Sequence, residues 1–568
     1  MHCACKNKAL HRSNKKSIFN LHLALDRKLL NQNFDDALQY ELNSLFYEAY
    51  SKEENCQYCQ FGKDQKELLL LLEHAYWMRV NVKSSKNRHE IEKWIGIPYE
   101  LMQFVQRNTY SLLIKGSAGT GKTTLSLTIL RALKVKSNFF YISTRISPKQ
   151  LFLYYPWLGK FIGRPKISES DEISGQSYNL SSFEDARLDE PESLFERITN
   201  QLMDVKAPII IIDSWDAIAS FMDKEARLNN ERVLQIWRER AGAKLIFISE
   251  DPNDTTLDFL VDGIVELERK FYDNMPIRQI FLSKLRGIMI NKPSYIYSLN
   301  DGIFRSYAAY QPDDFAIASS RVRFNKAEST LSSLSEGHYI TSGYQELDDI
   351  LGGGFIKKGV ILIDMESNVN TGVAMAFLSS IMSNFIRTCN PILFHPFDGM
   401  GPEEVMSYLK LERDSNIYES RLIKIFCHVG KMEEKSDHNA EPSREYGPLD
   451  KHFEFFRDVI IKTKQEYPNK LLLNIMGANI AQKMYRSREI NRRELLPFIR
   501  ANTDLSLIVS RHSQSTRESL TEISDVHLRF LILNGSLFLQ SLIPRRHLCA
   551  VLPYASTGSN RIKLDPVV

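Results

Sequence analysis

The chain reads as an α/β protein made of two tandem units, each a parallel-core sheet covered by helices, behind a helical N-terminal region. Three observations predict this. Short β-branched runs alternate with amphipathic stretches from residue 91 to 312, a Ser-rich and bulk-poor segment follows, and the same alternation then restarts. With 568 residues the chain has room for two to four domains at roughly 100–200 residues each.

Residues 1–90 lack turn punctuation, and "FNLHLALDRKLLNQNFDDALQYELNSLFYEAY" spaces its apolar side chains helically with charges between them. In the front unit, 91–312, the runs "SLLIKG", "NFFYIS", "PIIIID", "KLIFIS" and "IRQIFLSKLRG" predict strands. Residues 313–338 form a linker, with "AESTLSSLSEGH" (327–338) as its core. In the rear unit, 339–568, "GVILIDM", "PILFHPF", "KLLLNIM" and "LSLIVS" are strands and "TGVAMAFLSSIMSNFI" a helix, a repeat of architecture rather than of close sequence.

Composition narrows the function classes. A net charge of +4 argues against a protein whose main task is neutralising nucleic-acid phosphates. No apolar run approaches the ~20 residues that span a bilayer, and the leucine run Leu68 to Leu72 between Glu67 and Glu73 predicts a buried helix. The basic start, "MHCACKNKALHRSNKK", lacks a signal-peptide core. Seven cysteines in so long a chain make no disulfide framework, so the expectation is a reduced, cytoplasmic protein without a membrane partner. Cys3, Cys5, Cys56 and Cys59 could supply four thiolates to zinc, although the pairs lie fifty residues apart. Cys389, Cys427 and Cys549 read as buried core thiols.

The chemistry concentrates in "LLIKGSAGTGKTTLSLTIL", residues 112–130. Gly116, Ser117, Ala118, Gly119, Thr120, Gly121, Lys122 and Thr123 spell a complete phosphate-binding loop between a predicted strand and a helix. Consecutive N–H groups line such a concavity at a helix N-terminus, where the helix dipole also favours anions. Lys122 is expected to reach the β- and γ-phosphates of ATP, Thr123 to offer its hydroxyl to Mg²⁺, and Thr124 to join the cofactor shell. "APIIIIDSWDAI" supplies the metal's carboxylate: four isoleucines make a strand buried on both faces and Asp213 emerges at its end. Asp216 reads as a helix-start residue.

Over residues 91–312 the loop, "FLVDGIVELE" and "IRQIFLSKLRG" together resemble the KaiC-like branch of the RecA-type ATPases. The resemblance implies that Lys284 and Arg286, ahead of Gly287, reach into an adjacent subunit's nucleotide site and touch the γ-phosphate, which makes a homo-oligomer an expected partner. "TSGYQELDDILGGGF" (341–355) looks like the lead-in that such proteins place before their phosphate loop. Counted from Gly359, Glu366 then stands for the first glycine, Gly372 for the lysine and Val373 for the hydroxyl, while "LLLNIM" puts Asn474 in place of the metal-binding Asp. The rear copy is therefore expected to bind no nucleotide.

The branch carries a Glu-Glu pair after the second strand to activate water; here Thr144 and Arg145 occupy those positions. Fast hydrolysis is not expected, and Glu250, Glu184 or Asp185 are the substitute carboxylates, leaving at most a weak ATPase. The acidic stretch 168–192 is a candidate switch or docking loop. Thr144-Arg145, "DEPESLFERITNQLMD" and the degenerate rear copy together resemble the archaeal gas-vesicle operon protein D group, which implies a regulator acting on a protein partner such as a transcription factor. A RadA-like DNA-handling ATPase is the alternative, disfavoured by the weak charge, and autophosphorylation a third reading.

Overall fold

The computed structural model describes residues 96–162, 181–187, 206–222, 242–315 (with breaks at 254 and 256), 335–397, 422–428, 443–447, 452–478, 492–511, 520–553 and 562–567, with a few isolated residues between them. The expected helical region 1–90, its four cysteines and most of the acidic stretch lie outside these residues. The remainder belongs to one compact unit, Arg88–Val568. No helix among the described residues is long and apolar enough to cross a membrane.

The front half runs α1 (Tyr99–Val105), β1 (Tyr110–Gly116), α2 (Lys122–Ala132), β2 (Phe139–Ser143), α3 (Pro148–Tyr154), α4 (Pro156–Ile162), β3 (Ser181–Asp185), β4 (Ile209–Asp213), α5 (Trp215–Ala219), β5 (Lys244–Ser249), β6 (Gly263–Tyr272), β7 (Met275–Leu285), β8 (Ser294–Ser298) and β9 (Arg305–Ser306). Its sheet has the order β3-β2-β4-β5-β1-β6-β7-β8-β9. The first six strands in that order are parallel and the last three antiparallel. Alternation along a strand sends side chains to opposite faces: Ile209 and Ile211 pack with Leu125 and Ile129 of α2, whereas Ile210 and Ile212 pack with Trp215 and Phe247. All four isoleucines are buried, each stabilising the fold by roughly 1.5–3 kcal/mol of transfer free energy. Part of the acidic stretch is thus not a loop: residues 181–185 form the edge strand β3, where Phe183 meets Phe139, Tyr141 and Phe152.

The rear half begins with β10 (Ser335–Glu336) and β11 (Tyr339–Ile340), then α6 (Gln345–Leu351) and β12 (Phe355–Ile356). The end of the expected linker is therefore paired: β10, β11 and β12 make a small antiparallel sheet. There follow β13 (Gly359–Met365), α7 (Thr371–Arg387), β14 (Ile392–Phe394), β15 (Ile423–His428), β16 (Ser443–Gly447), α8 (His452–Glu466), β17 (Leu473–Gly477), α9 (Arg492–Asn502), β18 (Leu505–Arg511), β19 (Val526–Leu533), β20 (Ser536–Ile543), β21 (His547–Pro553) and β22 (Ile562–Pro566). Their order is β16-β15-β14-β17-β18-β13-β19-β20-β21-β22. Ile361 and Ile363 face Val373 and Phe377 of α7, and Val360 and Leu362 face Phe456 and Val459 of α8. Cys549 is buried as expected, but Cys389 is exposed, because it sits in the turn that ends α7 with φ of 54°.

The two sheets match rung for rung. Tyr110 pairs with Lys244, Lys244 with Ile209 and Ile209 with Phe139; Gly359 pairs with Leu505, Leu505 with Leu473 and Leu473 with Ile392. Leu112 lies beside Gly263 as Ile361 lies beside Val526. The halves meet through an apolar patch of Met275, Ile296 and Tyr307 against Leu531, Phe538, Leu548 and Ala550.

Candidate nucleotide site

β1 delivers the loop to the C-terminal edge of the parallel strands, and α2 starts directly after it. Gly116 and Gly121 have φ of 153° and 92°. A Cβ at Gly116 would stand 2.5 Å from the Leu267 carbonyl oxygen, and one at Gly121 2.8 Å from the Leu299 side chain. Both glycines are therefore required by a close approach as well as by conformation. At Gly119, with φ of 78°, a Cβ would meet nothing within 4 Å, so the loop's crest is open. Thr120 Oγ1 donates to Ser117 O at 2.8 Å, and Tyr297 Oη donates to Thr120 O at 2.5 Å, which fixes the loop from β8.

Lys122 is buried, and its Nζ donates to Gly116 O at 2.7 Å and Ser117 O at 3.0 Å. Burial pulls its ammonium below the ordinary lysine range, while the charges of Glu250 and Asp213 oppose that shift and Arg145 adds to it. Thr123 Oγ1 donates to Asp213 Oδ2 at 2.6 Å, and so does Tyr141 Oη at 2.6 Å. Burial first and the Asp213 carboxylate second push the Tyr141 phenol well above its usual range, so it remains a donor. Thr124 Oγ1 lies 3.0 Å from Tyr155 Oη. The loop, Lys122, Thr123 and Asp213 are thus brought together, with Ser117 and Ala118 in the exposed crest. An open loop of free conformation, a buried ammonium and a hydroxyl–carboxylate pair suit a triphosphate with its divalent cation.

Thr144 ties two strand ends: its N donates to Asp213 O at 2.8 Å and its Oγ1 accepts from Ser214 N at 2.9 Å. Arg145 extends to Glu250, Nη2 to Oε2 at 2.5 Å. Asp216, in the first turn of α5, accepts from Ser249 Oγ at 3.0 Å and Glu250 N at 2.5 Å, joining α5 to β5 as a structural residue. Glu184 and Asp185 are on β3, four strands from β1. At ~4.8 Å per strand that is roughly 19 Å away, too far to serve the loop.

Lys284 and Arg286 lie at the opposite edge. β7 is antiparallel, and its end pairs with Gly263 beside the start of β1. Leu285 lies at the Leu112 rung and Lys284 at the Leu113 rung, four and three residues short of Gly116, roughly 13 and 10 Å along the strand at ~3.3 Å each and two strands, roughly 10 Å, to the side, so neither cation reaches its own loop. Lys284 Nζ donates to Asp258 O at 2.8 Å. Arg286 is exposed and pairs with Asp262 at 3.2 Å, and Arg107 holds the Arg286 and Gly287 carbonyls.

The rear copy is corrected by one residue. Its rungs put Met365, not Glu366, at the Gly116 position, and because α7 and α2 begin equally far on, Thr371 replaces Lys122 and Gly372 replaces Thr123. Gly477 stands at the Asp213 rung; Asn474 is three residues short of it, buried in β17 and 3.4 Å from Ser506 Oγ. The count failed because the rear strand runs on into the loop without a glycine to mark its end. The helix N-terminus is capped from within the loop: Asn370 Oδ1 accepts from Gly372 N at 2.7 Å, and Asn370 N donates to Tyr310 Oη at 3.1 Å. Arg511 Nη2 bonds Thr371 Oγ1 at 2.5 Å.

Sequence reasoning missed Tyr141, Tyr297 and Leu299. Aromatic and aliphatic residues in or just after apolar strands read as core, and only the fold shows their contacts with the loop and Asp213.

The family model described as "GvpD gas vesicle protein, P-loop domain" matches residues 101–283. Protein GvpD2 of Halobacterium salinarum is 22% identical over 74% of this chain and 85% of its own length. Protein GvpD1 of the same organism is 24% identical over 58% of this chain. The circadian clock oscillator protein KaiC of Thermosynechococcus vestitus is 24% identical over 49% of it. The chain spans under two thirds of GvpD1, at 61%, and half of KaiC.

Proposed function

Because the chain is a KaiC-like P-loop protein of the GvpD-like group, with two tandem RecA-like domains, we propose that its front copy binds Mg-ATP and acts as a nucleotide-dependent switch on a protein partner. One observation carries this reading: the open glycine loop, buried Lys122 and the Thr123–Asp213 pair occur together in the front copy. At the equivalent rungs of the rear copy stand Thr371, Gly372 and Gly477. The loop amides of residues 117–122 and Lys122 would hold the phosphates, and Thr123 and Asp213 the Mg²⁺. A cation held by Thr123 and Asp213 would supply neutralising charge to the phosphates.

Hydrolysis in this reading is slow or conditional, since Thr144 has spent its hydroxyl on backbone and Arg145 is a cation. Lys284 and Arg286 serve the site of a second copy, because β7 ends at the edge away from their own loop. The partner is a protein rather than a membrane, with a transcription regulator as one instance; the weak charge does not favour nucleic acid. A nucleotide that binds two conformations unequally shifts the balance between them, and no turnover is required for that. The test is equilibrium ATP affinity beside steady-state turnover on the full chain. Lys122→Ala is expected to weaken ATP binding at least about tenfold, given the strength of a charge-assisted contact. Unchanged affinity in that variant would remove the site from the front copy.

A further inference from the structure

Glu250 follows β5, the strand between β1 and β4, so it stands beside Gly116 on one side and two residues beyond the rung of Asp213 on the other. Its amide is pinned by Asp216 and its carboxylate is partly open, 26% exposed, in an ion pair with Arg145, which is 53% exposed. Glu250, one residue past the Lys115–Ser249 rung, and Arg145 paired with it therefore lie at the C-terminal edge of the parallel strands, where the loop leaves β1. Glu184 and Asp185 are excluded by the sheet order, and Asp216 is spent on Ser249 and Glu250.

We propose that Glu250 is the carboxylate that accepts the proton of the water attacking the γ-phosphorus, and that Arg145 is a positioning residue whose ion pair holds Glu250 out of that role. The inference rests on ATP binding in the front copy. In the step, the water oxygen bonds to the γ-phosphorus as the bond from phosphorus to the β,γ-bridging oxygen breaks. ADP leaves with that electron pair, the water proton passes to Glu250 Oε and from there to solvent, and inorganic phosphate is released. Arg145 cannot pair fully with Glu250 and with the γ-phosphate at once. Paired with Glu250 it quenches the base; drawn to the phosphate it releases the base. The pair is exposed enough that the exchange costs little. A protein without the usual glutamates thus keeps a route to hydrolysis under restraint.

A double-mutant cycle on the full chain tests this, with fluorescent-ATP affinity and ATP turnover read on each protein. Glu250→Gln is expected to bind ATP about fivefold tighter, because Arg145 then turns to the phosphates, and Arg145→Ala/Glu250→Gln is expected to lose that gain. Arg145→Ala should turn over ATP about fivefold faster than the parent, with Arg145→Lys close to the parent. Glu250→Gln should lower turnover about 10²-fold or more in either background. Arg145→Gln provides a second removal of the charge if alanine disturbs the segment. Turnover in Arg145→Ala and Arg145→Gln at or below the parent's, with ATP still bound, overturns the brake; turnover of Glu250→Gln within twofold of the parent overturns the base. An Arg145→Ala protein that loses as much ATP affinity as Lys122→Ala makes Arg145 a standing phosphate ligand rather than the partner of Glu250 and also overturns the brake. Failure of the underlying site shows separately, as ATP affinity unchanged by Lys122→Ala.

Discussion

Asp213 Oδ2 receives two hydroxyl protons, from Thr123 and Tyr141, each at 2.6 Å. The two donors have different duties. Thr123 lies in the first turn of α2 and can turn toward a cation, whereas Tyr141 is buried on β2 and can only continue to orient the carboxylate. Partners that orient a metal-binding group are worth about 10–100-fold in metal affinity. Tyr141→Phe is therefore expected to raise the Mg²⁺ concentration needed for half-maximal ATP binding by about tenfold, with magnesium-free nucleotide affinity little changed. A magnesium titration at fixed ATP reads this, and an unchanged midpoint would reduce Tyr141 to packing. Much of this site was legible in the chain because a phosphate loop needs glycines and a lysine at set spacing. Tyr141 was not: its ring obeys the alternation of a buried strand, and its hydroxyl has meaning only once β2 and β4 are neighbours.

The element scale shows the same division between local and non-local information. Strands such as β4 and β13 announce themselves through unbroken apolar runs rich in β-branched residues, and α7 through a long apolar stretch, so both copies could be read. The positions of Glu366 and Asn474 were misplaced because sequence counting has no rung to hold on to, and ladder pairing sets Met365 and Gly477 there instead. Nor does a strand's sequence say at which edge of the sheet it ends. β7 runs antiparallel, which carries Arg286 to the edge away from its own loop, where it is exposed and tethered by Asp262 at 3.2 Å. An exposed pair of this kind is worth about 0–1 kcal/mol, so a phosphate on a neighbouring copy would outbid it. Arg286→Ala should then leave the ATP affinity of the isolated protomer within about twofold. In the assembled protein it should lower turnover about 10³-fold or to background, as loss of an arginine delivered in trans does, or abolish ATP-dependent assembly in sedimentation. No change in either turnover or assembly would show that Arg286 is only a surface cation.

At the scale of the molecule, the strands that brace the nucleotide loop are also those that meet the rear copy. Tyr297 of β8 holds Thr120, and its neighbour Ser298 donates to Pro566 O at 3.0 Å. Arg305 and Tyr307 both reach Asp565, each at 3.2 Å. Within this joint Lys292 Nζ donates to Ser536 Oγ at 2.9 Å and lies 4.4 Å from the centre of the Tyr295 ring. Burial lowers its ammonium to about 8, against the opposing pull of Glu100. The unfolded chain keeps the ordinary lysine value of about 10.4. Between these values the unfolded state binds the proton that the folded state has lost, so this residue's contribution to stability rises with pH across that window. Below pH 8 both states are protonated and the full penalty of a buried charge is present. Lys292→Met lacks this dependence while sharing every other titration with the parent. The stability of the parent relative to the variant should grow by about 2 kcal/mol from pH 7 to pH 9.5, at roughly 1.4 kcal/mol for each pH unit above 8. Tyr297 and Tyr307, whose phenols burial holds above their usual range, act with the opposite sign at higher pH, but in both proteins alike, so they cancel in the comparison. Paired thermal-unfolding midpoints across that range measure the difference, and a gap that stays constant would place Lys292 outside the buried joint.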